Sequence, residues 1–431
     1  MFLHPTNSYE VFKIIRELKN TNSVGVDEFP TQLIKYVAEI ISEPLAMIIN
    51  LTFNEGQFPS LLKTSLVTPI LKKGNVHNFD NYRPISILSV LWKVFEKIMY
   101  IRITAFLNIT NFFNTTQYGF RKGCSTIHAA AKLINDIIKG FEERQYTLAV
   151  CLDISKAFDT LDHSILFKKL NHYGIRGNAL AWLKSYITTR HQIVKIGNVT
   201  STKNVVCSGI PQGSILGPLL FVIYANDLPK SLKYCQVTQY ADDTTVCLPT
   251  SDLSSAITKV NSDLENLLEW FNCNKLLVNP TKTVSIIFHP SHDSYIRPLP
   301  PIIMNKNIIK VSEKVNLLGL QLDPTLSWQN HINYMYGKLC QSLYALNRVK
   351  HLLNKHVLMT MYHGLIQSHI NYGILLWGNA QKGHLKKISN IQQKSLGAIF
   401  RDVKHKDDLF ATARVLNFED TYKKRMYKIL S

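Results

Sequence analysis

The chain has 431 residues, of which 46% are hydrophobic and 10% aromatic, so it can bury a large core and is not globally disordered. This length suits two or three domains or one large multi-lobed enzyme. No run of 18 apolar residues occurs, and residues 1–10 contain no apolar segment, so we expect neither a membrane span nor a secretory signal. The seven cysteines form no C-x-x-C pair, which argues against a disulfide framework or a zinc knuckle and favours a reducing compartment.

The charge of the chain is strongly positive. Lysine and arginine number 49 against 30 acidic residues, which gives a net charge of +19. Residues 331–431 alone carry 16 basic and 5 acidic side chains. Such an excess favours a polyanionic partner, and a phosphate backbone fits it better than a small acidic metabolite. The alternative is an ordinary protein with surplus lysine.

The N-terminal part of the chain predicts helices followed by two strands. Apolar residues recur at helical spacing over 11–18 and 33–40, and Pro44 is expected near the start of a third helix. A short apolar run at 66–71 ends in two lysines and a Gly-Asn turn. A second short run follows Arg83, so the two runs predict a pair of strands.

The middle of the chain predicts a buried strand, two helices and a loop. Residues 147–152 are apolar almost throughout, and Asp153 stands at the end of this strand. Helices are predicted over 162–173 and 178–189, and a Gly/Pro-rich loop at 209–218 should lead into a further helix. The predicted N-caps and the stop between these helices are Asp162, Asn178 and Gly174.

The remaining pattern predicts a hairpin, a long helix and a mostly helical C-terminal region. Two β-prone runs, Gln236–Tyr240 and 244–248, flank Ala-Asp-Asp and predict the hairpin. An amphipathic helix over 257–271 and a returning strand at Val284–Phe288 should follow. Beyond about residue 330 the chain reads as mostly helical and basic.

Three carboxylates stand at the ends of predicted strands. Asp153 follows the first strand, while Asp242 and Asp243 lie in the hairpin turn. If these strands are neighbours, the three charges converge and repel one another, and the hard oxygen ligands favour Mg²⁺. Two such ions about 3.5–4 Å apart can promote an in-line displacement. The alternative, which is favoured for any one aspartate taken alone, is that Asp242 and Asp243 form an ordinary polar turn and that Asp153 is a helix cap.

Seven short motifs follow one another along the chain. They are L-V-T-P-I-L-K-K-G (66–74), N-Y-R-P-I-S (81–86), Q-Y-G-F-R-K-G-C-S-T (117–126), D-I-S-K-A-F-D (153–159), G-I-P-Q-G-S-I-L-G-P (209–218), Y-A-D-D (240–243) and N-P-T-K-T (279–283). In this order and spacing the chain resembles the reverse transcriptase domain of non-LTR retrotransposons, most closely the jockey-type and related LINE elements. The resemblance extends from about Glu10 to at least Gly378.

The resemblance implies an α+β chain with the right-hand polymerase fold. An N-terminal extension and fingers would occupy residues 1–145, and a palm with an antiparallel sheet backed by helices would occupy 146–310, with a fingers insertion at about 160–205. A primer-grip hairpin beginning at Leu318 and Gly319 and a helical thumb would occupy 311–431. The implied activity is that of an RNA-directed DNA polymerase, a nucleotidyltransferase that extends a DNA 3′-hydroxyl on an RNA template with dNTPs. It would use two Mg²⁺ ions, with Mn²⁺ as an alternative.

Matching the motifs residue by residue implies the catalytic and metal-binding groups. Asp153, Asp242 and Asp243 match the catalytic aspartates, and the backbone carbonyl of Ile154 would complete the metal shell. Lys282 matches a lysine proposed to protonate the departing pyrophosphate. The alternative for Lys282 is a surface lysine at the start of a strand.

Five further residues match nucleotide-binding positions. Phe158 matches the aromatic gate that crowds a ribose 2′-hydroxyl, with an ordinary core aromatic as the alternative. Gln212 matches a glutamine that helps to hold the incoming nucleotide, with a plain turn before a helix as the alternative. Arg83, Lys72 and Lys73 resemble the cations that contact the triphosphate, and the guanidinium fork fits phosphate best. For the two lysines the alternative is a solvated hairpin tip.

A template-side motif and a glycine complete the implied site. Gln117, Arg121 and Ser125 resemble residues on the template side, where Arg121 would meet backbone phosphate. Gly213, like Gly217, would let the backbone approach sugar or template closely.

Parts of a full element are missing from this sequence, and other functions stay open. An endonuclease domain is expected as a partner from the full element but is absent, so we expect a truncated copy, a fragmentary gene model or a processed product. An intron-encoded maturase or retron-like enzyme would share the chemistry, and a catalytically silent nucleic-acid-binding relic would not. We expect an intracellular ribonucleoprotein, nuclear or cytoplasmic, and not a secreted protein.

Overall fold

The computed structural model describes residues 1–290, 298–403 and 406–430 and shows the predicted α+β class. The predicted palm and thumb ranges also include residues 291–297, 404, 405 and 431, which lie outside the described residues. Within the described ranges, no helix combines the length and apolar composition that crossing a bilayer requires. The proposed domain boundaries themselves stay predictions.

Groups of helices and groups of strands follow one another along the chain, and the C-terminal part is helical. The strands are β1 (Thr64–Leu71), β2 (Tyr82–Ile87), β3 (Tyr146–Leu152), β4 (Ile154–Ser155), β5 (Arg190–Ile196), β6 (Val199–Thr200), β7 (Asn204–Val206), β8 (Gln236–Tyr240), β9 (Asp243–Thr250), β10 (Leu277–Val278), β11 (Val284–Phe288), β12 (Ile303–Met304), β13 (Asn307–Ile308), β14 (Val315–Leu317) and β15 (Leu320–Leu322). The helices are α1 (Ser8–Glu17), α2 (Thr31–Tyr36), α3 (Ala38–Glu55), α4 (Val90–Ile109), α5 (Thr126–Glu142), α6 (Ala157–Thr160), α7 (His163–His172), α8 (Gly177–Ile187), α9 (Leu216–Ala225), α10 (Leu253–Cys273), α11 (Gln329–Val349), α12 (Lys355–Tyr362), α13 (Ser368–Asn371), α14 (Ile374–Trp377), α15 (Lys382–Ile399), α16 (Lys406–Ala413) and α17 (Phe418–Leu430).

The first N-terminal helix forms as predicted, but the next two differ from the prediction. The helix expected over 33–40 is interrupted at Val37, which lies between α2 and α3, and α3 starts earlier than its proline suggested. The side chain of Asn7 accepts the N–H of Glu10 and caps α1, which buries its apolar face. Pro44 lies inside α3 and not near its start. A proline in a helix interior leaves the carbonyl four residues earlier without a partner. That residue is Ile40, which is 78% exposed, so water can reach the carbonyl.

A second helix start also differs from the prediction. Asp162 caps α7 by accepting the N–H of Ile165, and Gly174, at a φ of +91°, follows the end of that helix, so both predictions are confirmed. The prediction for Asn178 is wrong, because α8 begins at Gly177 and its N-cap is Arg176. The Asn178 amide instead donates to the carbonyl of Asn54 at the end of α3.

The central sheet is antiparallel, in the order β11-β3-β9-β8. Residues of β3 alternate between two cores: Leu148 and Val150 pack in the core that includes α4, α9 and α10, and Ala149 packs in the core that includes α5 and the C-terminal helices. A separate sheet has the order β2-β1-β5, in which β1 runs parallel to β5. The predicted strand at 147–152 and its returning partner at Val284–Phe288 are therefore confirmed.

The C-terminal region is helical, as predicted, and follows a small hairpin. Leu318 and Gly319 do not begin this hairpin but form its two-residue turn, with φ of +48° and +84°. Two successive positive φ values suit the tight turns that join antiparallel strands. The helix α11 then packs along α15, and Trp377 of α14 stacks on Phe418 of α17.

Candidate active site

Asp153 and Asp243 lie at the ends of neighbouring strands. The register of β3 and β9 ends with the pair Leu152 and Thr244, the two residues next to these aspartates, and the charge of Asp153 acts on Asp243. Asp242 lies in the two-residue turn between β8 and β9, whereas Asp243, which was also predicted in the turn, is the first residue of β9 and pairs with Tyr240. The sequence-based condition for convergence, that the two strands are neighbours, is therefore met.

The backbone of Asp153 is held by the segment at 279–283. Its carbonyl accepts the N–H of Asn279 at 2.8 Å, and its N–H points to the hydroxyl of Thr283 at 3.4 Å. Ile154 then pairs with Val278 of β10. Because the Asp153–Asn279 pair carries the hydrogen bond, the next pair is of the non-bonded kind, and the Ile154 carbonyl points away from β10.

A buried glutamine stabilises the turn that carries Asp242. Ala241 has a φ of +57°, which costs a residue with a Cβ about 1 kcal/mol. Gln117 is 1% exposed, and its side-chain oxygen accepts the N–H groups of Ala241 and Gly119 at 2.9 and 2.7 Å. A Cβ at Gly119 would lie only 2.2 Å from the Ala241 nitrogen, so this close contact requires glycine.

The three carboxylates repel one another. The pKa of Asp242 is raised, mainly by burial and also by the charge of Asp153, while Arg83 and Lys72 oppose this rise. The pKa of Asp243 is raised to about 6, first because neighbouring protein atoms displace water from its carboxylate and then because of the charges of Asp242 and Asp153. Part of its side chain remains exposed. Like charges in one place raise each other's pKa unless a cation lies between them.

This donor set fits a divalent cation by its chemistry. Carboxylate oxygens at mutually repelling positions are the ligands that hard divalent ions prefer. Among the residues that the structure describes, however, no three carboxylate, imidazole or thiol groups are drawn close enough to enclose an ion by themselves. The carboxylates therefore share an edge of the sheet without forming a closed coordination shell.

The strand pair β1–β2 brings two of the three predicted triphosphate cations toward the aspartates. Arg83 lies opposite Ile70 in this pair, and the backbone N–H of Lys72 donates to the carbonyl of Asn81. The charges of Arg83 and Lys72 both act on Asp242. Lys73 is exposed, and no described contact ties it to the carboxylates, so its nucleotide role stays a prediction.

The predicted lysine Lys282 lies near an ion pair that joins the segment before β2 to the start of α6. Asp80, just before β2, forms an ion pair of 2.9 Å with Lys156, and this pair lowers the pKa of Asp80. Lys282 is exposed, and its charge contributes to the same lowering. Its role as a proton donor stays a prediction.

Phe158 and Gln212 lie on two segments that are joined by the hydrogen bond from the N–H of Ile210 to the carbonyl of Phe158. The ring of Phe158 is half-buried and packs 4.9 Å from that of Phe221, so it also contributes to the core. The side-chain nitrogen of Gln212 lies 2.8 Å from both carboxylate oxygens of Asp159. Asp159 was missed by sequence reasoning, although it is the last letter of the motif at 153–159.

The glycines of the 209–218 loop make close contacts with protein. Gly213 has a φ of +120°, and a Cβ there would lie 2.7 Å from the carbonyl oxygen of Ser86 in β2. A Cβ at Gly217 would lie 2.5 Å from the hydroxyl of Ser214. Both glycines therefore make room for neighbouring parts of the chain, and the predicted contact of Gly213 with template or primer stays a prediction.

The three predicted template-side residues all bond within the protein. Gln117 holds the aspartate turn, as described above. Arg121 donates to the carbonyls of Asn114 and Gln117 at 2.8 and 2.9 Å and lies over the ring of Phe113. Ser125 caps α5 by accepting the N–H of His128. These contacts give each residue a structural role, and their template contacts stay predictions.

A buried carboxyl group, which the sequence did not predict as part of the site, supports the loop at 209–218. Glu96 on α4 is completely buried and accepts the N–H of Ile215, at the start of α9, at 3.0 Å. The hydroxyl of Tyr186 donates to its other oxygen. Burial is the main cause that raises the pKa of Glu96 to about 7. The one available signal was a glutamate at an apolar position of the helix.

Residues 70–322, more than half of the chain, match the family model described as reverse transcriptase (RNA-dependent DNA polymerase). The chain is 28% identical over 417 residues to a probable RNA-directed DNA polymerase from transposon BS of Drosophila melanogaster, covering 92% of this chain and 45% of the relative. It is 26% identical to the RNA-directed DNA polymerase from mobile element jockey of the same species, covering 90% of this chain and 43% of the relative.

A third relative and one solved structure complete the comparison. The probable RNA-directed DNA polymerase from transposon X-element of Drosophila melanogaster is 26% identical and covers 91% of this chain and 44% of the relative. A solved telomerase from Candida albicans in complex with a fragment of telomeric RNA is similar at a TM-score of 0.40 and 13% identity, covering 94% of this chain and 72% of that one.

The chain spans less than half the length of the curated relatives that it matches. Members of the matched family generally use divalent metal ions, and the expected right-hand polymerase fold is the fold of that family. With its aspartates brought together on the central sheet, the chain belongs to the reverse transcriptase family.

Proposed function

We propose that this chain is an RNA-directed DNA polymerase of a non-LTR retrotransposon, which extends a DNA 3′-hydroxyl with dNTPs on an RNA template. The observation that carries the proposal is the pairing of β3 with β9, which brings Asp153 near Asp243 and Asp242. Two cations of the β1–β2 hairpin, Arg83 and Lys72, face this group. The names of the relatives support the same chemistry. We further propose that the protein acts inside cells in a ribonucleoprotein.

The aspartates and the Ile154 carbonyl are the groups that would hold the metal. When bound, two divalent ions, Mg²⁺ or alternatively Mn²⁺, would stabilise charge on the attacking and leaving oxygens. The segment at 279–283 and the side chain of Gln117 keep the aspartate backbones in place.

The neighbouring side chains would bind and orient the nucleotide. Arg83 and Lys72 carry the positive charge that a triphosphate needs, and the flat guanidinium can donate two parallel hydrogen bonds to phosphate oxygens. Phe158 is held against Phe221, so its ring is fixed and can exclude a 2′-hydroxyl by bulk. Gln212 lies on the loop that packs on β2.

Primer extension on poly(rA)–oligo(dT) tests the proposal. Purified protein with Mg²⁺ and dTTP is compared with Asp153→Asn, which should abolish synthesis and keep salt-dependent binding of the duplex. Asp402→Asn serves as the matched control, because Asp402 is exposed and pairs only with the exposed Lys355 among described residues. If folded wild-type protein binds the duplex but never extends it, the polymerase proposal is wrong and the chain is a silent relic.

A further inference from the structure

Phe120 is an exposed aromatic residue in a strained backbone conformation beside the aspartate turn. It is 44% exposed, whereas Gln117, Arg121 and Ser125 of the same motif all bond within the protein. Its φ is +55°, a left-handed conformation that bulky residues rarely adopt. Strain of this kind persists where the surrounding structure imposes it, and it clusters at functional sites. The fold therefore holds an aromatic ring at the surface of the site at the cost of backbone strain.

The residues before Phe120 fix its position. The N–H of Tyr118 donates to the carbonyl of Gln239 in β8 at 2.8 Å. A Cβ at Gly119 would lie 2.2 Å from the nitrogen of Ala241, so this segment lies directly against the aspartate turn. Phe120 is therefore held at a fixed place relative to that turn.

The ring of Phe120 contacts two other aromatic rings of the site. Its centroid is 6.5 Å from that of Phe158, with the ring planes at 89°, and 6.5 Å from that of Tyr240, with the planes at 36°. Both distances are within the range of favourable aromatic contacts. Tyr240 is the last residue of β8, directly before the aspartate turn. The three rings therefore form one aromatic group that extends from Phe158 to this turn.

The proposed chemistry places two sugars along this aromatic group. The ring of Phe158 is the proposed gate at C2′ of the incoming nucleotide. The attacking 3′-hydroxyl belongs to the last nucleotide of the primer and must lie at the aspartates for the displacement to occur. The last primer sugar is thus the neighbour of the incoming sugar on the side of the aspartate turn. Because Phe120 adjoins both the gate and this turn, its exposed ring can face that second sugar.

An aromatic ring at the last primer sugar favours deoxyribose over ribose. The C2′ of deoxyribose carries only hydrogen, which can pack against the ring. A ribose 2′-hydroxyl would lose its hydrogen bonds to water there, and the ring offers no comparable partner in exchange. The ring of Phe120 would therefore act on the primer end as the ring of Phe158 acts on the incoming nucleotide.

We propose that Phe120 is a specificity-determining residue that selects a DNA over an RNA 3′ end by packing on the sugar of the last primer nucleotide. This inference rests on the proposed polymerase function. It differs from the gate at Phe158, which acts on the nucleotide that is added and not on the strand that receives it. A purely structural role of Phe120 would affect DNA and RNA primer ends alike.

The test compares oligo(dT) primers that end in a single dU or rU, which differ only in the last 2′-hydroxyl, on poly(rA). With dTTP, we expect the wild type to extend the dU end with a kcat/KM about 10–100-fold above that of the rU end, since one hydroxyl is left unpaired. In Phe120→Gly this ratio should fall to about threefold or less, and glycine adopts the positive φ without strain. Phe120→Asn should lower the ratio likewise, because asparagine tolerates this φ and can hydrogen-bond to a hydroxyl.

A second pair of substrates shows which sugar is affected. The preference for dUTP over UTP reports on the incoming sugar, so Phe120→Gly should keep it within about twofold, whereas Phe158→Ala should lower it. Phe2→Gly is the matched control, because Phe2 is 72% exposed in the N-terminal segment and its ring contacts that of His4. This control should leave both preferences unchanged.

The outcomes separate this inference from the proposed function. Equal extension of dU and rU ends by the wild type, or an unchanged primer-end preference in Phe120→Gly, overturns the role of Phe120. A loss of the dUTP preference without a loss of the primer-end preference also overturns it, since Phe120 would then only support Phe158. If Phe120→Gly fails to fold, as a thermal melt would show, Phe120→Asn must still lose the preference for the dU end, or the proposal falls. If the folded wild type extends neither primer, the polymerase proposal fails and this inference fails with it.

Discussion

The side chain of Gln117 bonds to both backbone polar groups of Ala241, the residue that precedes the aspartate pair. Its oxygen lies 2.9 Å from the nitrogen of Ala241 and its nitrogen lies 3.4 Å from the Ala241 carbonyl oxygen, across 124 residues of sequence. Because Ala241 adopts a left-handed conformation, the turn needs such support to hold Asp242 at one position.

Replacement of Gln117 should therefore loosen the aspartate turn. In Gln117→Ala the buried N–H groups of Ala241 and Gly119 lose their acceptor, at a cost of about 1–3 kcal/mol each. We expect a loss of about 2–6 kcal/mol in unfolding free energy and a fall of about 100-fold in primer extension. Urea unfolding and extension assays measure both, and the exposed Gln341→Ala should change stability by less than about 0.5 kcal/mol. Normal activity in Gln117→Ala would contradict this assignment.

Asp243→Asn should stabilise the folded protein while it abolishes synthesis. The folded pKa of Asp243, about 6, lies above its ordinary value, so ionisation opposes folding. This penalty is absent below about pH 3.8, grows through pH 6 and is constant above it. Since solvent screens part of the charge, we expect a gain of about 1 kcal/mol at pH 7.5 and a smaller one at pH 5. A gain that does not vary with pH would speak against the electrostatic origin.

Added Mg²⁺ should reverse that difference. A cation among the aspartates removes their repulsion, so the melting temperature of the wild type should rise with Mg²⁺ concentration. Asp153→Asn and Asp243→Asn should show a much smaller rise. Calorimetry in matched concentrations of Mg²⁺ and Na⁺ provides the measurement, and equal shifts in all three proteins would rule out a specific site at the carboxylates.

Glu96→Gln should show a pH-dependent gain in stability. The pKa of Glu96 is raised to about 7 in the folded state, so folding binds a proton that the unfolded chain releases near pH 4.5. The wild type loses stability as the pH rises from about 4.5 to 7, and the loss is then constant. A glutamine can still accept the Ile215 N–H, so the variant should exceed the wild type by about 3 kcal/mol more at pH 8 than at pH 4.5. Denaturant midpoints across this range test it, and parallel curves would contradict it.

Gly213→Ala should disturb the contact between the nucleotide loop and β2. The new Cβ would lie 2.7 Å from the Ser86 carbonyl oxygen at a φ of +120°, so we expect a loss of about 1–3 kcal/mol. Gly337→Ala is the control, because this glycine lies in α11 with no neighbouring atom within 4 Å, and alanine there should add about 0.5–1 kcal/mol. Thermal melts give the stability of both variants relative to the wild type, and an equal change in the two variants would contradict the close contact at Gly213.

Arg83→Ala should impair nucleotide binding more than Lys73→Ala. The charge of Arg83 reaches Asp242, whereas Lys73 is exposed beyond the end of β1. We expect the KM for dTTP to rise about 10–100-fold in the first variant and at most about threefold in the second. Steady-state kinetics on the same template measures both KM values, and a larger effect at Lys73 than at Arg83 would contradict this expectation.

The sequence by itself determined the family, the α+β class and the strands at whose ends the three aspartates stand, but it left open whether those strands are neighbours. Local patterns carry these features. They are an apolar run that ends before Asp153, two β-prone segments on either side of the Ala-Asp-Asp turn, and short motifs in a fixed order. A local pattern suffices because strand burial and turn chemistry depend on neighbours in the chain. The helix starts that sequence reasoning misjudged, at Pro44 and Asn178, were decided by packing against distant segments or by exposure to water.

The tertiary structure alone decided which polar side chains support the site. Gln117 meets Ala241, Asp159 meets Gln212 and Glu96 meets Ile215, at separations of 124, 53 and 119 residues. A glutamine or a glutamate has no intrinsic preference for template, nucleotide or protein. Its role follows from which unpaired group the fold buries next to it, because a buried polar atom must find a partner.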